Sequence, residues 1–172
     1  MKRITTRWWQ AIALVGVFVG AFLATPLMAQ TTPAEAEFDW AAIGQAAYAN
    51  CMACHQANGQ GIPRAFPPLA GHVPKLVAAE GGREYLIKTV LYGVMGPITV
   101  LGNQYNSVMP PMPHLSDTDI AAALNYTLHS WGNDELLPEE FAVIRPEEVA
   151  ALRGLGLSMA QVHELRLALG LE

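Results

Sequence analysis

The chain has 172 residues, the length of one ordinary domain with additional segments rather than two full domains. Its formal charge is −5, from 10 Lys and Arg against 15 Asp and Glu, and three of the basic residues (Lys2, Arg3 and Arg7) fall in the first seven positions. Residues 30–172 therefore carry seven basic and fifteen acidic groups, a charge of −8 with only Lys75 and Lys88 as lysines; this excludes nucleic acid and anionic lipid as partners and any partner that docks on a lysine ring.

The three basic residues are followed by an uncharged run over residues 8–29, with its most continuous apolar part at 11–24 and small residues up to Ala29. This order reads as a secretory signal peptide over residues 1–29. The alternative is an uncleaved membrane anchor, because an uncharged run of this length spans a bilayer core of about 30 Å as a helix. Either reading places the remainder outside the cytoplasm. Residues 30–37 form a polar, Pro-containing linker.

From residue 38 to about 54 the pattern is helical, with Trp40, Ile43, Ala47 and Cys51 recurring at threes and fours. This helix delivers Cys51-Met52-Ala53-Cys54-His55, whose C-x-x-C-H spacing is the attachment signature of c-type haem. Cysteines three apart lie near one face of a helical turn. Both sulfurs can then form thioethers with the two vinyl groups of one porphyrin, and His55 can reach the iron from the same side. A thioredoxin-like pair would need a βαβ context, and nothing strand-like precedes Cys51. A structural zinc site would need a second ligand pair, which the sequence lacks. The motif occurs once, so one covalently bound haem c is expected.

Residues 56–65 read as a Gly- and Asn-rich loop, and residues 66–71 (FPPLAG) as a rigid apolar segment. A second helix is expected over residues 83–94, with Tyr85, Leu86, Val90 and Val94 on its buried side. Residues 98–105 suggest a very short hairpin around Gly102-Asn103. A Pro-stiffened loop follows, Val108-Met109-Pro110-Pro111-Met112-Pro113-His114, and it offers three candidates for the second axial position on the iron. A thioether is a weak ligand, and a preorganised loop lowers the ordering cost of bringing it to the metal. Spacing does not separate Met109 from Met112. His72, His129 and His163 are expected to be surface or hydrogen-bond-satisfied histidines.

A third helix is expected over residues 116–131, opened by a Ser116–Asp119 capping box and stopped at Gly132-Asn133. Residues 134–172 hold eight acidic and three basic residues. They suggest two further helices, one over 146–153 and one opened by a Ser158–Gln161 capping box. Such a tail either packs on the preceding domain or docks a redox partner.

The run of C-x-x-C-H, FPPLAG, a short helix, M-P and a final helix ending in S-W-G-N resembles a class I cytochrome c. It is especially similar to the domain fused to some copper nitrite reductases and to cytochrome subunits of periplasmic dehydrogenases. The matching stretches are residues 51–61, 66–71, 96–100, 105–111 and 115–133. The resemblance implies an all-α bundle over residues 38–133 whose N- and C-terminal helices cross, enclosing one haem. Residues 134–172 then form an acidic helical extension. It also implies Met109 as the axial ligand, since the family's ligand Met directly precedes Pro, and Met112 as a haem-pocket residue. A Pro carbonyl, Pro67 before Pro68, would accept from His55 Nδ1–H. Leu69, Leu86, Tyr105 and Trp131 would lie at the pocket or beside the propionates. The chain departs from the fused relatives in lacking a copper-reductase domain.

The function implied is one-electron transfer in the periplasm, to or from a redox protein or enzyme subunit, rather than catalysis. Two alternatives stand beside it: a cytochrome subunit of a larger dehydrogenase or reductase, and a haem enzyme or gas sensor with an open iron site.

Overall fold

The computed structural model describes residues 38–171, which belong to one compact unit. The signal peptide or anchor read over residues 1–29, and the linker 30–37, lie outside the described residues.

Helix α1 (Trp40–Ala47) starts at Asp39, whose side chain caps the amide of Ala42. A 3-10 turn over Tyr48–Asn50 leads into the single turn α2 (Met52–His55). The helical approach read over residues 38–54 is thus one path with a tightened middle. It ends abruptly because Gln56 sits at φ +63°, where a non-glycine residue costs about 1–3 kcal/mol. The Tyr48 hydroxyl donates to the Gln56 carbonyl at 2.7 Å and holds this reversal.

Helix α3 (Val73–Ala78) follows the FPPLAG segment, and α4 (Gly82–Tyr92) follows α3. The expected helix over 83–94 stops two residues early. Val94 leaves it to pair with Met109, each amide donating to the other's carbonyl at 3.0 Å. Strands β1 (Ile98–Val100) and β2 (Asn103–Tyr105) make the small antiparallel hairpin, with Ile98 opposite Tyr105. Helix α5 (Asp117–Leu128) opens with the Ser116–Asp119 capping box in full and ends three residues before Trp131.

The core forms where α1 crosses α5. Gly44 lies so close to Ala122 that an added Cβ would overlap the Ala122 carbonyl oxygen. Small residues on both faces, Gly44 and Ala47 against Ala122 and Ala123, let the two backbones approach. The fold is the all-α bundle that the resemblance implied. Among the described residues, no helix is long and apolar enough to cross a membrane.

Residues 134–171 form a 3-10 turn (Asp134–Leu136), α6 (Pro146–Arg153) and α7 (Met159–Ala168). They share the hydrophobic core: Ile144, Val149 and Val162 are fully buried in one cluster with Ile87, Leu91, Ile120 and Leu128. Polar side chains fix their register. Buried Asn125 on α5 donates to the Ile144 carbonyl and accepts from the Ile144 amide, both at 2.8 Å. Arg83 grips Glu148 with Nε at 2.6 Å and Nη2 at 2.8 Å, and also donates to the carbonyls of Ala142 and Val143. Arg153 reaches back to Asp117 and to the carbonyls of Pro113 and Leu115, at the end of the methionine loop.

Ile144→Ala should therefore cost about 2–5 kcal/mol, the range for emptying a buried aliphatic site. Denaturant unfolding of the holoprotein measures this, and a loss near zero would make the tail a dispensable appendage. The Arg83 hydrogen bonds hold the Glu148 carboxyl below its ordinary range, against the opposing effect of partial burial. A carboxyl depressed in the fold adds stability above its unfolded value of about 4.3, and that stability is lost as pH falls through the lower folded value. Glu148→Gln should lower stability at neutral pH and flatten this acid limb. Wild-type and variant curves of midpoint against pH that run parallel would remove the pair from the account.

Candidate haem site

Cys51, Cys54 and His55 border a single cavity, together with Pro67, Leu69, Tyr105, Met109 and Met112. The cavity is walled by α2, the FPPLAG segment, α3, α4, the hairpin, the methionine loop and α5, so seven segments of the chain converge on it. Its sides are mostly apolar, with Leu86, Val90 and Leu124 from α4 and α5.

The amides of Cys54 and His55 both bond to the Cys51 carbonyl, at 3.2 and 2.9 Å, so the motif is wound as one helical turn. No disulfide joins Cys51 to Cys54. The Cys51 thiol is pushed up to about 11, by burial first and then by the nearby Cys54. A reactive C-x-x-C pair has the opposite electrostatics, with a thiolate stabilised near neutral pH, and the all-α surroundings lack the βαβ unit such a pair needs. Among the described residues, no group of three or more His, Cys, Asp and Glu is placed to hold a metal ion as a cluster.

His55 lies 2.9 Å from the Pro67 carbonyl through Nδ1. A carbonyl only accepts, so Nδ1 carries the proton and Nε2 keeps its lone pair. Burial lowers the His55 pKa, with the Pro67 bond acting the other way; burial thus favours the neutral ring, the form a metal ligand requires. Pro67 is presented by the FPPLAG segment, which Asn133 locks in place. The buried Asn133 side chain accepts from the Gly71 amide at 2.6 Å and donates to the carbonyls of Leu69 and Thr127 at 3.3 and 2.7 Å. Read from sequence as a helix stop, Asn133 also ties the end of α5 to the cavity wall.

The methionine loop is held by α4. Beyond the Val94–Met109 pairing, the Met112 amide donates to the Val90 carbonyl at 2.9 Å. Gly93, at φ +72°, gives the backbone of Met109 and Pro110 room to approach, and a Cβ there would overlap the Met109 carbonyl oxygen. Met109 and Met112 both border the cavity, and His114 does not.

Trp131, implied at the pocket or beside the propionates, is not on the cavity wall: α5 ends at Leu128, and the turn through Trp131 (φ +58°) swings its ring over Gly59, with Nε1 donating to the Ala57 carbonyl at 3.2 Å. One expectation fails. His72 is neither at the surface nor closed off by a hydrogen bond. It is 7% exposed and lines the cavity, and its pKa is lowered to about 4 by burial and then by the positive charges of Arg166 and Lys75. The reason is α3, a six-residue helix that the sequence reading did not assign. Pro74 near its start and the spacing of Val73, Leu76 and Val77 were its available signals. His129 and His163 do find partners, in the carbonyls of Asn125 and Pro97. Thr89 Oγ1, also on the cavity wall, is buried without a hydrogen-bond partner.

These features suit a large, flat, mainly apolar group fastened at one edge by two sulfurs, and the comparisons with known proteins agree. Residues 41–131 match the family model for cytochrome c. The chain is 50% identical over 131 residues to cytochrome c-552 of Thermus thermophilus, an alignment covering 76% of this chain and 99% of that protein. It is 33% identical over 85 residues to the cytochrome c subunit of a quinone alcohol dehydrogenase from Gluconobacter oxydans strain 621H, covering 49% of this chain and 17% of the subunit. Every residue that borders the cavity falls within the matched stretch, and the chain accordingly belongs to the cytochrome c family of electron-transfer proteins, in its class I mono-haem form.

Proposed function

We propose that this cytochrome is an exported one-electron carrier in which Cys51 and Cys54 hold a single haem c and His55 and Met109 are its axial ligands. The observation that carries this reading is the convergence of the C-x-x-C-H turn and the Met109–Met112 loop on one apolar cavity, with His55 fixed as the Nδ1–H tautomer by Pro67. When bound, haem c supplies an iron centre that takes up and releases one electron.

The chain's own contribution is to hold that centre still. Pro67 orients the imidazole and raises its basicity. The Val94 pairing and the Met112–Val90 bond fix the methionine loop before any ligand bond forms. Arg153 braces the far end of that loop through Pro113 and Leu115. Leu69, Leu86 and Tyr105 keep the surroundings apolar, and Met with His ligation in such a site favours a high reduction potential. Met109, rather than Met112, is assigned as ligand from its place in the M-P pair; Met112 serves as a pocket residue.

The domain reading is residues 38–133 as the cytochrome module and 134–172 as an extension that braces it, with residues 1–29 directing export to the periplasm. A redox protein or enzyme subunit is the partner class, and the likeness to a dehydrogenase's cytochrome subunit supports it. That likeness also supports a second reading, in which the chain is itself a subunit of a larger oxidoreductase. Co-purification from the native envelope separates the two.

Met109→Ala and Met112→Ala test the ligand assignment. In the oxidised holoprotein, Met109→Ala should abolish the weak long-wavelength band of a methionine–iron(III) pair and let the reduced form bind carbon monoxide. Met112→Ala should keep the band and lose only stability, about 2–5 kcal/mol if fully buried and less here because the side chain is partly exposed. The reverse pattern would transfer the assignment to Met112. Wild-type protein that is high-spin and binds carbon monoxide readily would replace the carrier with an open-site haem protein.

A further inference from the structure

Charge is spread unevenly along this chain. Between Asp39 and Lys75 the one Asp, Glu, Lys or Arg is Arg64, and between Lys88 and Asp117 there is none. These two stretches supply most of the cavity wall, including the attachment turn and the methionine loop. Asn50, Val108 and Pro110 line the cavity and are also exposed, so the cavity reaches the surface beside both segments. Exposed apolar side chains gather on the same stretches. Met52, Ile62, Met95, Leu101 and Val108 are each 38% to 49% exposed. On a chain that is acidic elsewhere, an uncharged surface carrying apolar residues has the composition of a contact face.

Arg64 breaks this neutrality, and the fold holds it there at a cost. Ile62 and Phe66 exchange backbone hydrogen bonds, at 2.9 and 2.8 Å, which close a tight loop around Arg64. The base of the loop is tied to the site: the Gly61 amide donates to the His55 carbonyl at 3.0 Å, and Phe66 borders the cavity. Arg64 itself sits at φ +66°, a left-handed conformation that glycine adopts freely and a residue with a side chain does not. Its side chain gives the fold nothing in return. Among the described residues, Arg83, Arg145 and Arg153 have carboxylates within ion-pair distance and Arg166 is buried, whereas exposed Arg64 makes neither an ion pair nor a hydrogen bond through its guanidinium. A guanidinium offers five donors in a fixed fork that fits a carboxylate with two parallel bonds.

We propose that the uncharged face around the cavity mouth docks the redox partner and that Arg64 is its single charged contact, fitting a partner whose apolar face presents one carboxylate at the rim. The inference rests on the proposed function and adds the chemistry of the partner. One rim charge acts chiefly on encounter, raising the association rate and giving it a salt dependence. The acidic residues all lie off the two stretches, so they repel an anionic group everywhere but at Arg64.

Covalent haem in the purified holoprotein, detected by its retention under denaturing conditions, tests the underlying reading first; its absence would overturn both. Oxidation of the reduced holoprotein by ferricyanide, a trivalent anion that takes one electron, then reads the charge at the reacting edge. Arg64→Gln should slow it about fourfold at low ionic strength, the effect of one charge on a trivalent anion about 10 Å away in water, and the difference should vanish at high salt. Lys88→Gln removes the same charge from a position off the cavity wall and should slow it less than about twofold. On gold coated with hydroxyl-terminated alkanethiols, wild-type protein should exchange electrons faster once a small share of the termini are carboxylates, and Arg64→Gln should not respond. Arg64→Gly, which relieves the left-handed backbone, should lose the same response with no loss of thermal stability. Equal slowing by Arg64→Gln and Lys88→Gln, or a carboxylate response that survives Arg64→Gln, would overturn the proposal. A holoprotein dimer abolished by Val108→Asp would give the face to a second copy of this chain and overturn it too.

Discussion

The organisation of this protein follows from a core whose centre is a place for a guest. Two of the helices around the cavity are short, four residues in α2 and six in α3, and helices of that length do not persist on local propensity. They are held by what lies on either side of them. On one side is the cavity that family membership fills with covalent haem c; on the other are tight backbone contacts such as Gly44 against Ala122 and Gly93 against Met109. A single turn then suffices to carry Cys51, Cys54 and His55, because its direction is imposed by Tyr48, which fixes the reversal at Gln56, and by Pro67, which fixes the imidazole.

The extension works by a different chemistry from the module. Its apolar residues complete the common core, but its register is set by long polar side chains that reach backbone carbonyls. Arg83, Tyr92, Asn125, Arg153 and Arg166 each bond at least one carbonyl across the boundary between residues 134–171 and the rest, or from one to the other. Irregular loops leave carbonyls unpaired at the points where they turn, and buried ones must find donors. The guanidinium, with five donors in a fixed fork, meets that need where a lysine would not. This explains the places of two of the tail's three arginines, Arg153 and Arg166, which bridge to carbonyls of the module.

What could be read from the sequence was whatever depends on near neighbours. The Cys51–His55 motif, both serine capping boxes, the hairpin at 98–105 and the helix over 146–153 are encoded within a few residues, and each is present. The gathering of Pro67, Leu69, Tyr105, Met109 and Met112 on one cavity came from the family resemblance, not from spacing. What escaped was decided by tertiary contact. Helix α3 is too short to show a full period, so His72 was read as a surface or satisfied residue. Trp131, which the resemblance put at the pocket or beside the propionates, lies over Gly59 and off the cavity wall, past the end of α5 at Leu128. Asn133 carries no local sign that its side chain will bond the Gly71 amide and the Leu69 carbonyl, both more than sixty residues away, as well as the nearby Thr127 carbonyl.

Arg166 is the clearest case of a residue whose meaning is invisible locally. On α7 it looks like an ordinary basic residue near a helix C-terminus, favourable to the helix dipole and otherwise solvated. Burial changes the argument. The same dipole interaction is worth at most about 1 kcal/mol at a surface, whereas desolvating an ion costs several kcal/mol even after relaxation. A helix-end role alone cannot offset that. The Leu171 and Thr99 carbonyls offset part of that cost by accepting from the guanidinium. Those two bonds, one to the hairpin and one to the end of the extension, exist only in the folded chain, so Arg166 joins the extension to the hairpin.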